Sequence, residues 1–296
     1  MAFPQGLKAH LQSGATTICR AWAVRRGDGV LLGFTDHDCA LVFDGITFQP
    51  GSGMTASALA QSTGLAVDNA EAVGALSSDA ICEADISAGR FDGAEVRIWL
   101  VNCTNPAERV LQFRGHIGDI TRGEGAFTAE LRGLAEAFGR AASVVYQTGC
   151  GATVGDARCK VDLTAPGYSV ELGAETVSDA RVFSFVDLGS FADRLFEKGL
   201  LRVLDGPAAG LAGVIKNDRL LTGGARQVEL WQALRATVGV GDTIRLEAGC
   251  DRRFETCRLK FNNALNFRGF PHIPGEDWLT SYPQRAGLND GASMWK

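Results

Sequence analysis

The sequence lacks any apolar run of the length that a membrane span needs. Hydrophobic residues make up 46% of the chain, yet no stretch approaches the roughly 18 consecutive apolar residues that cross a bilayer as a helix. The N-terminal segment MAFPQGLKAHLQSG also lacks the continuous apolar core of a secretory signal. These two absences predict a protein that folds in the cytoplasm and has no membrane span.

The sequence also lacks an excess of positive charge. Lys and Arg total 29 against 34 Asp and Glu, which gives a formal net charge of −5. Because non-specific binding to nucleic acid needs a basic surface, this balance argues against it. Proline is sparse at 8 residues, whereas glycine reaches 37. Many glycines between short apolar runs favour a turn-rich β protein over a helical bundle.

The eight cysteines are not expected to form disulfides, because the cytosol keeps thiols reduced. Four of them lie within apolar or alternating runs, where a buried cysteine behaves as a small hydrophobic residue. We therefore predict that these four are core residues: Cys19, Cys39, Cys82 and Cys103.

The other four cysteines form two pairs with unusual spacing. Cys150 and Cys159 are spaced C-x8-C, Cys250 and Cys257 are spaced C-x6-C, and 90 residues lie between the pairs. Paired cysteines in a reducing compartment more often bind metal or act in catalysis than form disulfides. Basic residues flank both pairs: Arg158, Lys160, Arg252, Arg253 and Arg258.

The spacing helps to distinguish the candidate metal centres. Structural zinc sites usually separate paired ligands by about two to four residues, so these gaps fit a single zinc ion poorly. An iron–sulfur cubane is larger, needs one cysteine at each corner, and carries negative charge that nearby cations and backbone N–H groups stabilise. The residues alone therefore favour a four-cysteine iron–sulfur cluster, and they leave zinc, disulfides and plain core thiols open.

Alternating runs between turn signals predict most strands, and we expect hairpins over residues 16–35 and 41–49. Further strands are predicted at 94–102, 109–118, 127–131, 168–171, 181–187, 199–204, 211–217, 219–221, 226–230 and 243–247. Helical spacing indicates short helices at 3–12 and 77–88, the start of a helix at 134–138, and a helical turn or short helix at 191–197. Residues 55–75 show no firm periodicity.

The predicted fold class is mainly β with some helix (α+β), in two β-rich domains of barrel or sandwich type. A length of 296 residues favours two domains over one. We predict an N-terminal domain over 1–148, a second domain over 149–280, and a tail over 281–296. Two cysteine pairs that meet on a metal would close a long loop, and metal binding would then contribute to folding.

Residues 241–275 resemble the C-terminal signature of a phage tail family. The matching residues are Gly249-Cys250-Asp251, Thr256-Cys257, Phe261-Asn262, Asn266-Phe267 and Gly269-Phe270-Pro271. The segments GFTDHDCAL and FDGITFQP near the N-terminus resemble the same family, so the likeness runs through nearly the whole chain. The chain is similar to the tail hub (baseplate hub) proteins of siphophage-like tails, and above all to the hubs of gene transfer agents.

This resemblance implies a structural virion protein and not an enzyme, with no catalytic residue. Such a hub is a homotrimer at the virion tail tip, assembled in the host cytoplasm. It joins the distal tail protein ring to a tail tip or fibre protein, and DNA passes through its lumen without specific binding. Related tail-tip proteins carry a 4Fe-4S cluster, so the resemblance implies that Cys150, Cys159, Cys250 and Cys257 bind one. The alternative is a cytosolic enzyme that contains zinc or an iron–sulfur cluster.

Two further motifs resemble sites but have simpler interpretations. The Asp36-His37-Asp38 segment contains acid–base groups, yet we interpret it as a polar turn between strands. We expect His272 to pack within the loop NFRGFPHIPG and not to replace a cysteine ligand. That loop is expected to cover the cluster, while Asn262, Asn263 and Asn266 satisfy its backbone groups or donate to sulfur.

Overall fold

The computed structural model describes residues 3–50, 55–56, 69–75, 81–123, 126–133, 144–186 and 188–273. Its helices are α1 (Gln5–Gln12), α2 (Glu83–Ser87) and α3 (Phe254–Leu259), with 3-10 turns at Thr222–Gly224 and Ala264–Asn266. The strands in the N-terminal half are β1 (Ile18–Arg25), β2 (Leu31–Thr35), β3 (Leu41–Phe43), β4 (Ile46–Phe48), β5 (Thr55–Ala56), β6 (Asn69–Ala75), β7 (Glu95–Asn102), β8 (Arg109–Gly123) and β9 (Ala126–Gly133).

The strands in the C-terminal half are β10 (Ser169–Gly173), β11 (Thr176–Ser178), β12 (Val182–Phe185), β13 (Leu200–Val203), β14 (Ala212–Leu220), β15 (Arg226–Leu230) and β16 (Thr243–Glu247). The predicted mainly β class is therefore confirmed. Among the helices of these described ranges, none is long and apolar enough to cross a membrane.

The first sheet has the strand order β2-β1-β7-β8-β9-β6-β5. Its β1–β2 hairpin is the predicted one, with Ala21 opposite Thr35 and a turn closed by the bond from Arg26 N to Val30 O at 2.9 Å. The predicted β3–β4 hairpin also forms. Asp44 and Gly45 both have positive φ there, at 51° and 73°, as a two-residue hairpin turn of this chemistry requires.

This sheet is buried on both faces, which explains why β7 is apolar at successive positions. Val96 and Ile98 belong to a core that α2 covers, whereas Trp99 and Val101 belong to a second core under the β3–β4 hairpin. Trp99 makes an edge contact with Phe43 at 5.6 Å between ring centroids. The predicted alternation of β7 thus holds, but its second face is also covered.

The second sheet curls so that its two ends meet. Its order is β10-β16-β13-β14-β15-β12-β11, and the end members β10 and β11 are consecutive in the chain, separated by a bend at Ala174 and Glu175. Glu175 N bonds Ser184 O at 3.0 Å and Gly241 N bonds Ala174 O at 2.9 Å, so the bend is held from both sides. A single aromatic and aliphatic core fills the interior, as in the small barrel that the sequence predicted.

A fully buried ion pair lies in this barrel. Arg226 Nη1 is 3.2 Å from Asp218 Oδ2, and both side chains are 0% exposed. Arg226 Nη2 donates to the carbonyls of Phe191 and Ala192 at 2.8 and 2.9 Å, and Phe196 N donates to Asp218 at 2.8 Å. The pair therefore fixes the segment that precedes β13 by satisfying its backbone groups.

Several predictions about individual elements were wrong. Residues 191–197 are a series of turns and not a helix, because Arg194 has a φ of 58° and its neighbours bond to the buried pair. Strands β6 and β11 were not predicted, and 219–221 belongs to β14 in large part. The 77–88 helix is confirmed only over Glu83–Ser87, and its first residues and the 134–138 helix lie outside the described residues.

The four cysteines that we expected in the core differ among themselves. Cys19 is buried and Cys103 is half-buried, but Cys39 and Cys82 are exposed, so the prediction was wrong for these two. Burial, and then the neighbouring Cys103, raise the pKa of the Cys19 thiol. The boundary near residue 148 falls between β9 and β10, and the division into domains stays a prediction.

We predict that Arg226→Met destabilises the protein by about 3–5 kcal/mol, because it leaves the Asp218 charge buried without a partner. The control is Arg235→Met, whose pair with Asp92 is 64% and 57% exposed and should contribute less than about 1 kcal/mol. The measurement is equilibrium unfolding in urea. Equal losses of unfolding free energy in the two variants would contradict the stabilising role of the buried Arg226–Asp218 pair.

Candidate metal centre

The barrel brings the two cysteine pairs to one end of the molecule. Cys250 follows β16, Cys257 lies on α3, and Cys150 and Cys159 lie in the loop that leads to β10. Burial, and then the charges of Cys159, Cys250 and Cys150, raise the pKa of Cys257 to about 11. The four thiols therefore lie close enough to affect one another electrostatically.

Backbone hydrogen bonds join the first cysteine segment to the second. Cys150 N donates to Arg252 O at 2.8 Å, and Gly151 N donates to Arg268 O at 3.1 Å. The Cys150–Gly151 backbone thus lies between two segments that follow it by about a hundred residues in sequence. These bonds fix the relative position of the pairs without any contribution from the sulfur atoms.

Three N–H groups point at cysteine sulfur. Arg252 N donates to Cys250 Sγ at 3.4 Å and Arg268 N donates to Cys150 Sγ at 3.3 Å. The Asn263 side-chain amide lies 3.7 Å from Cys159 Sγ. Because N–H donors stabilise thiolate and sulfide charge, this arrangement suits cysteines that act as metal ligands.

Asn263 connects the two cysteine pairs directly. Its Nδ2 donates to Cys159 O at 2.6 Å, and its backbone N donates to Cys257 O at 2.9 Å. The thiol of Cys257 donates back to Asn263 O at 3.3 Å. Asn266 Nδ2 donates to the Asn263 side-chain oxygen Oδ1 at 2.7 Å. The expectation that these asparagines satisfy loop groups and donate to sulfur is confirmed for Asn263.

The partly buried cation at the site is Lys260, which sequence reasoning missed. Its Nζ donates to Leu195 O at 2.6 Å and to Gly249 O at 2.7 Å. Burial lowers its pKa, and the nearby Cys250 opposes this. Lys260 follows Cys257 by three residues, so the helical spacing that places both on one face was the available signal. The flanking side chains that we had named, such as Arg252 and Arg253, are exposed.

Asp156 shapes the first cysteine loop and was also missed. Its carboxylate accepts hydrogen bonds from the backbone N–H groups of Cys159, Arg158 and Thr153 at 2.6, 2.9 and 2.9 Å. The bonds from Cys159 and Thr153 are the main cause that lowers the pKa of Asp156. An aspartate three residues before a cysteine is the signal for such a turn.

The loop at 266–273 lies along the first cysteine segment, and its expected role as a cover of a cluster stays a prediction. Phe270 N donates to Gln147 O at 2.9 Å, and Phe267 contacts Phe254 edge-on at 5.1 Å. A Cβ on Gly269 would lie 2.6 Å from Gly149 O, so this close approach needs glycine. His272 is exposed.

The Asp36-His37-Asp38 segment is the predicted polar turn. Asp36 Oδ1 accepts a hydrogen bond from Arg20 N at 2.6 Å, and His37 N donates to Thr35 Oγ1 at 3.2 Å. Thr35 Oγ1 donates in turn to Arg20 O at 2.8 Å. These bonds use the acid and hydroxyl groups to close the end of β2 against β1.

Among the described residues, no three His, Cys, Asp or Glu side chains are placed to hold a single metal ion. The cysteine thiols are close enough to affect each other's protonation but do not form a compact ion site. Their role as ligands stays a prediction.

Comparison with known proteins identifies the class. Residues 4–162 match the family described as "Baseplate hub protein, N-terminal attachment domain", and residues 194–277 match "Phage conserved hypothetical protein BR0599". These matches define a structural protein of phage-like tails. Since the first match spans more than half of the sequence, the chain belongs to the baseplate hub protein family.

A solved structure supports the same identification. The chain is 59% identical to a chain in a structure described as "Virion of native gene transfer agent (GTA) particle", with a TM-score of 0.92 over 99% of this chain and 100% of that one. No curated protein matches. The predicted resemblance to tail hubs and the location in a virion tail are confirmed, whereas these descriptions say nothing of an iron–sulfur cluster.

Two glycines at the cysteine pairs give a matched test of the packing. A Cβ on Gly249 would overlap the carbonyl oxygen of Glu197, whereas a Cβ on Gly149 would lie 3.8 Å from Arg252 O. Gly249→Ala should cost about 3 kcal/mol and lower the melting temperature by roughly 5–10 °C. Gly149→Ala should leave it nearly unchanged. Thermal unfolding measures the melting temperatures of both variants. Equal values would show that the contact between Gly249 and the Glu197 carbonyl is not tight.

Proposed function

We propose that this chain is the tail hub of a particle of the gene transfer agent type. The observation that carries the proposal is the 59% identity, over nearly the whole of both chains, to a component of such a virion. The hub joins the distal tail protein ring to a tail tip or fibre protein, and it does so as a homotrimer. Its role is structural and not enzymatic.

The two sheets divide this role. The first sheet lies within the match to the N-terminal attachment domain, and it builds the part of the hub that attaches to the tail. The barrel and the cysteine region dock the next tail component. Side-chain contacts link the parts, since Arg90 Nη2 donates to Pro207 O at 2.8 Å and Arg235 pairs with Asp92 at 2.8 Å.

The acidic balance of the chain suits a protein that surrounds a DNA channel. A net charge of −5 gives a surface that does not attract phosphate groups over long range. DNA therefore passes through the hub lumen without specific binding. This part of the proposal depends on charge alone.

Cys150, Cys159, Cys250 and Cys257 would hold a 4Fe-4S cluster. Three observations support the fit: the thiols affect each other electrostatically, backbone N–H groups point at two of the sulfurs, and Lys260 supplies a partly buried cation. When bound, the cluster supplies a rigid cross-link that a reducing cytosol permits. The protein's part is to hold the two loops in register through their own backbone bonds, so that the cross-link closes the second domain.

Metal analysis tests the cluster. Protein purified without oxygen should contain about four irons and four sulfides per chain. Cys250→Ser should lose most of the iron, while Cys39→Ser, at an exposed cysteine outside the site, should retain it. Stoichiometric zinc with no iron in the anaerobic sample would contradict the cluster and favour a structural zinc site.

Deletion of the gene tests the hub role. A producing strain without this chain should release particles that lack complete tails and do not transfer DNA, and the wild-type gene should restore both. Electron microscopy of the particles gives the tail morphology. Complete tails in the deletion strain would exclude the hub function.

A further inference from the structure

The cysteine loops carry exposed cations without carboxylate partners. Most arginines of the described chain pair with an acid, as Arg97 does with Glu95 at 3.0 Å. In contrast, four exposed cations of the cysteine loops have no Asp or Glu oxygen within 4.0 Å among the described residues: Lys160, Arg252, Arg258 and Arg268. The protein as a whole is acidic, so this local excess of positive charge is not a general property of its surface.

These cations belong to one surface, because the backbone bonds of the site bring their segments together. The carbonyls of Arg252 and Arg268 accept bonds from the adjacent residues Cys150 and Gly151. Lys160 follows Cys159, which Asn263 ties to the second pair. Charges that are distant in sequence thus become neighbours at the cysteine end of the barrel.

The same surface presents two leucines. Leu259 is 75% exposed and Leu265 is 98% exposed. Both lie on the short helical segments that carry and follow Cys257, and these segments contact each other. Exposed large aliphatic side chains among unpaired arginines are the composition of a protein–protein interface, where arginine is enriched and apolar residues form the centre.

We infer that this surface, formed by Lys160, Arg252, Arg258, Leu259, Leu265 and Arg268, docks an acidic protein surface that has apolar pockets for the two leucines. The inference rests on the proposed hub function, since it assigns this surface to the next tail component. Charge complementarity selects the partner: the four cations have no carboxylate partner among the described residues, so an acidic surface on another chain would supply it. A nucleic acid would use the cations but would leave both leucines in water, so a protein fits the surface better.

Charge reversal in assembled particles tests the docking. Lys160→Glu/Arg258→Glu should reduce the number of particles with complete tails by about tenfold. The matched control is Arg25→Glu/Arg219→Glu, which reverses two exposed arginines outside the cysteine loops and should leave tail assembly unchanged. The purified double variants should retain wild-type melting temperature and iron content, so that a loss of tails reports docking and not folding.

The outcomes separate this inference from the hub function. Complete tails in Lys160→Glu/Arg258→Glu, together with defective tails in the deletion strain, would overturn the docking surface and leave the hub function standing. Complete tails in the deletion strain itself would overturn both. If the purified protein binds a short DNA duplex or phosphatidylserine vesicles through these cations and the tails of this variant are still complete, the surface serves nucleic acid or membrane and the inference fails.

A photo-cross-linker at Leu265 tests the chemistry of the partner. With p-benzoylphenylalanine in place of Leu265, irradiated particles should yield an adduct to a peptide of another particle protein with more acidic than basic residues. The same substitution at Val42, which is 65% exposed on the β3–β4 hairpin, should not yield that peptide. A basic peptide, or no adduct at Leu265, would contradict the inference.

Discussion

The cysteine region depends on a short backbone junction. Cys150 and Gly151 bond through their N–H groups to the carbonyls of Arg252 and Arg268, and every other feature of the site follows from this contact. It places Asn263 beside Cys159, and it aligns the 266–273 loop with the first cysteine segment. The second sheet makes the junction possible, since β16 pairs antiparallel with β10 and so returns the chain to the place where it entered β10. Backbone polar groups that are buried where two segments meet need partners within the protein. These hydrogen bonds therefore position the two segments without a metal.

The sequence could predict features that depend on local chemistry. The Asp44-Gly45 turn and the alternation of β7 depend on residues that are adjacent in sequence. Both predicted hairpins formed as expected. Strand β6 could not be predicted in this way, because its Ala- and Gly-rich residues carry no period and its pairing is supplied by β9. Residues 191–197 have helical spacing, but Arg226 and Asp218 bond their backbone groups from other strands.

The same distinction holds at the candidate metal centre. The spacing of the four cysteines was visible in the sequence, and so were the cations beside them. The cation that is partly buried is Lys260, whose position depends on carbonyls of Leu195 and Gly249 that spacing cannot reveal. The flanking arginines point outward, which turns them from stabilisers of a negative centre into candidates for contact with another chain. A charge next to a ligand in sequence is therefore weak evidence that the charge acts on that ligand.

The short strands β10 and β11, at the two ends of the second sheet, have a consequence for a protein that packs against other chains in a particle. An open sheet edge is a template to which strands of other chains can add, and a tail contains many copies of β-rich proteins side by side. In the strand pairs of the described residues, β10 pairs only with β16 and β11 pairs only with β12, so these end strands leave free edges of just five and three residues. Short edges offer few backbone groups for strand addition, so the contacts of the barrel with neighbouring chains depend mainly on side chains and loops, where sequence sets the choice of partner.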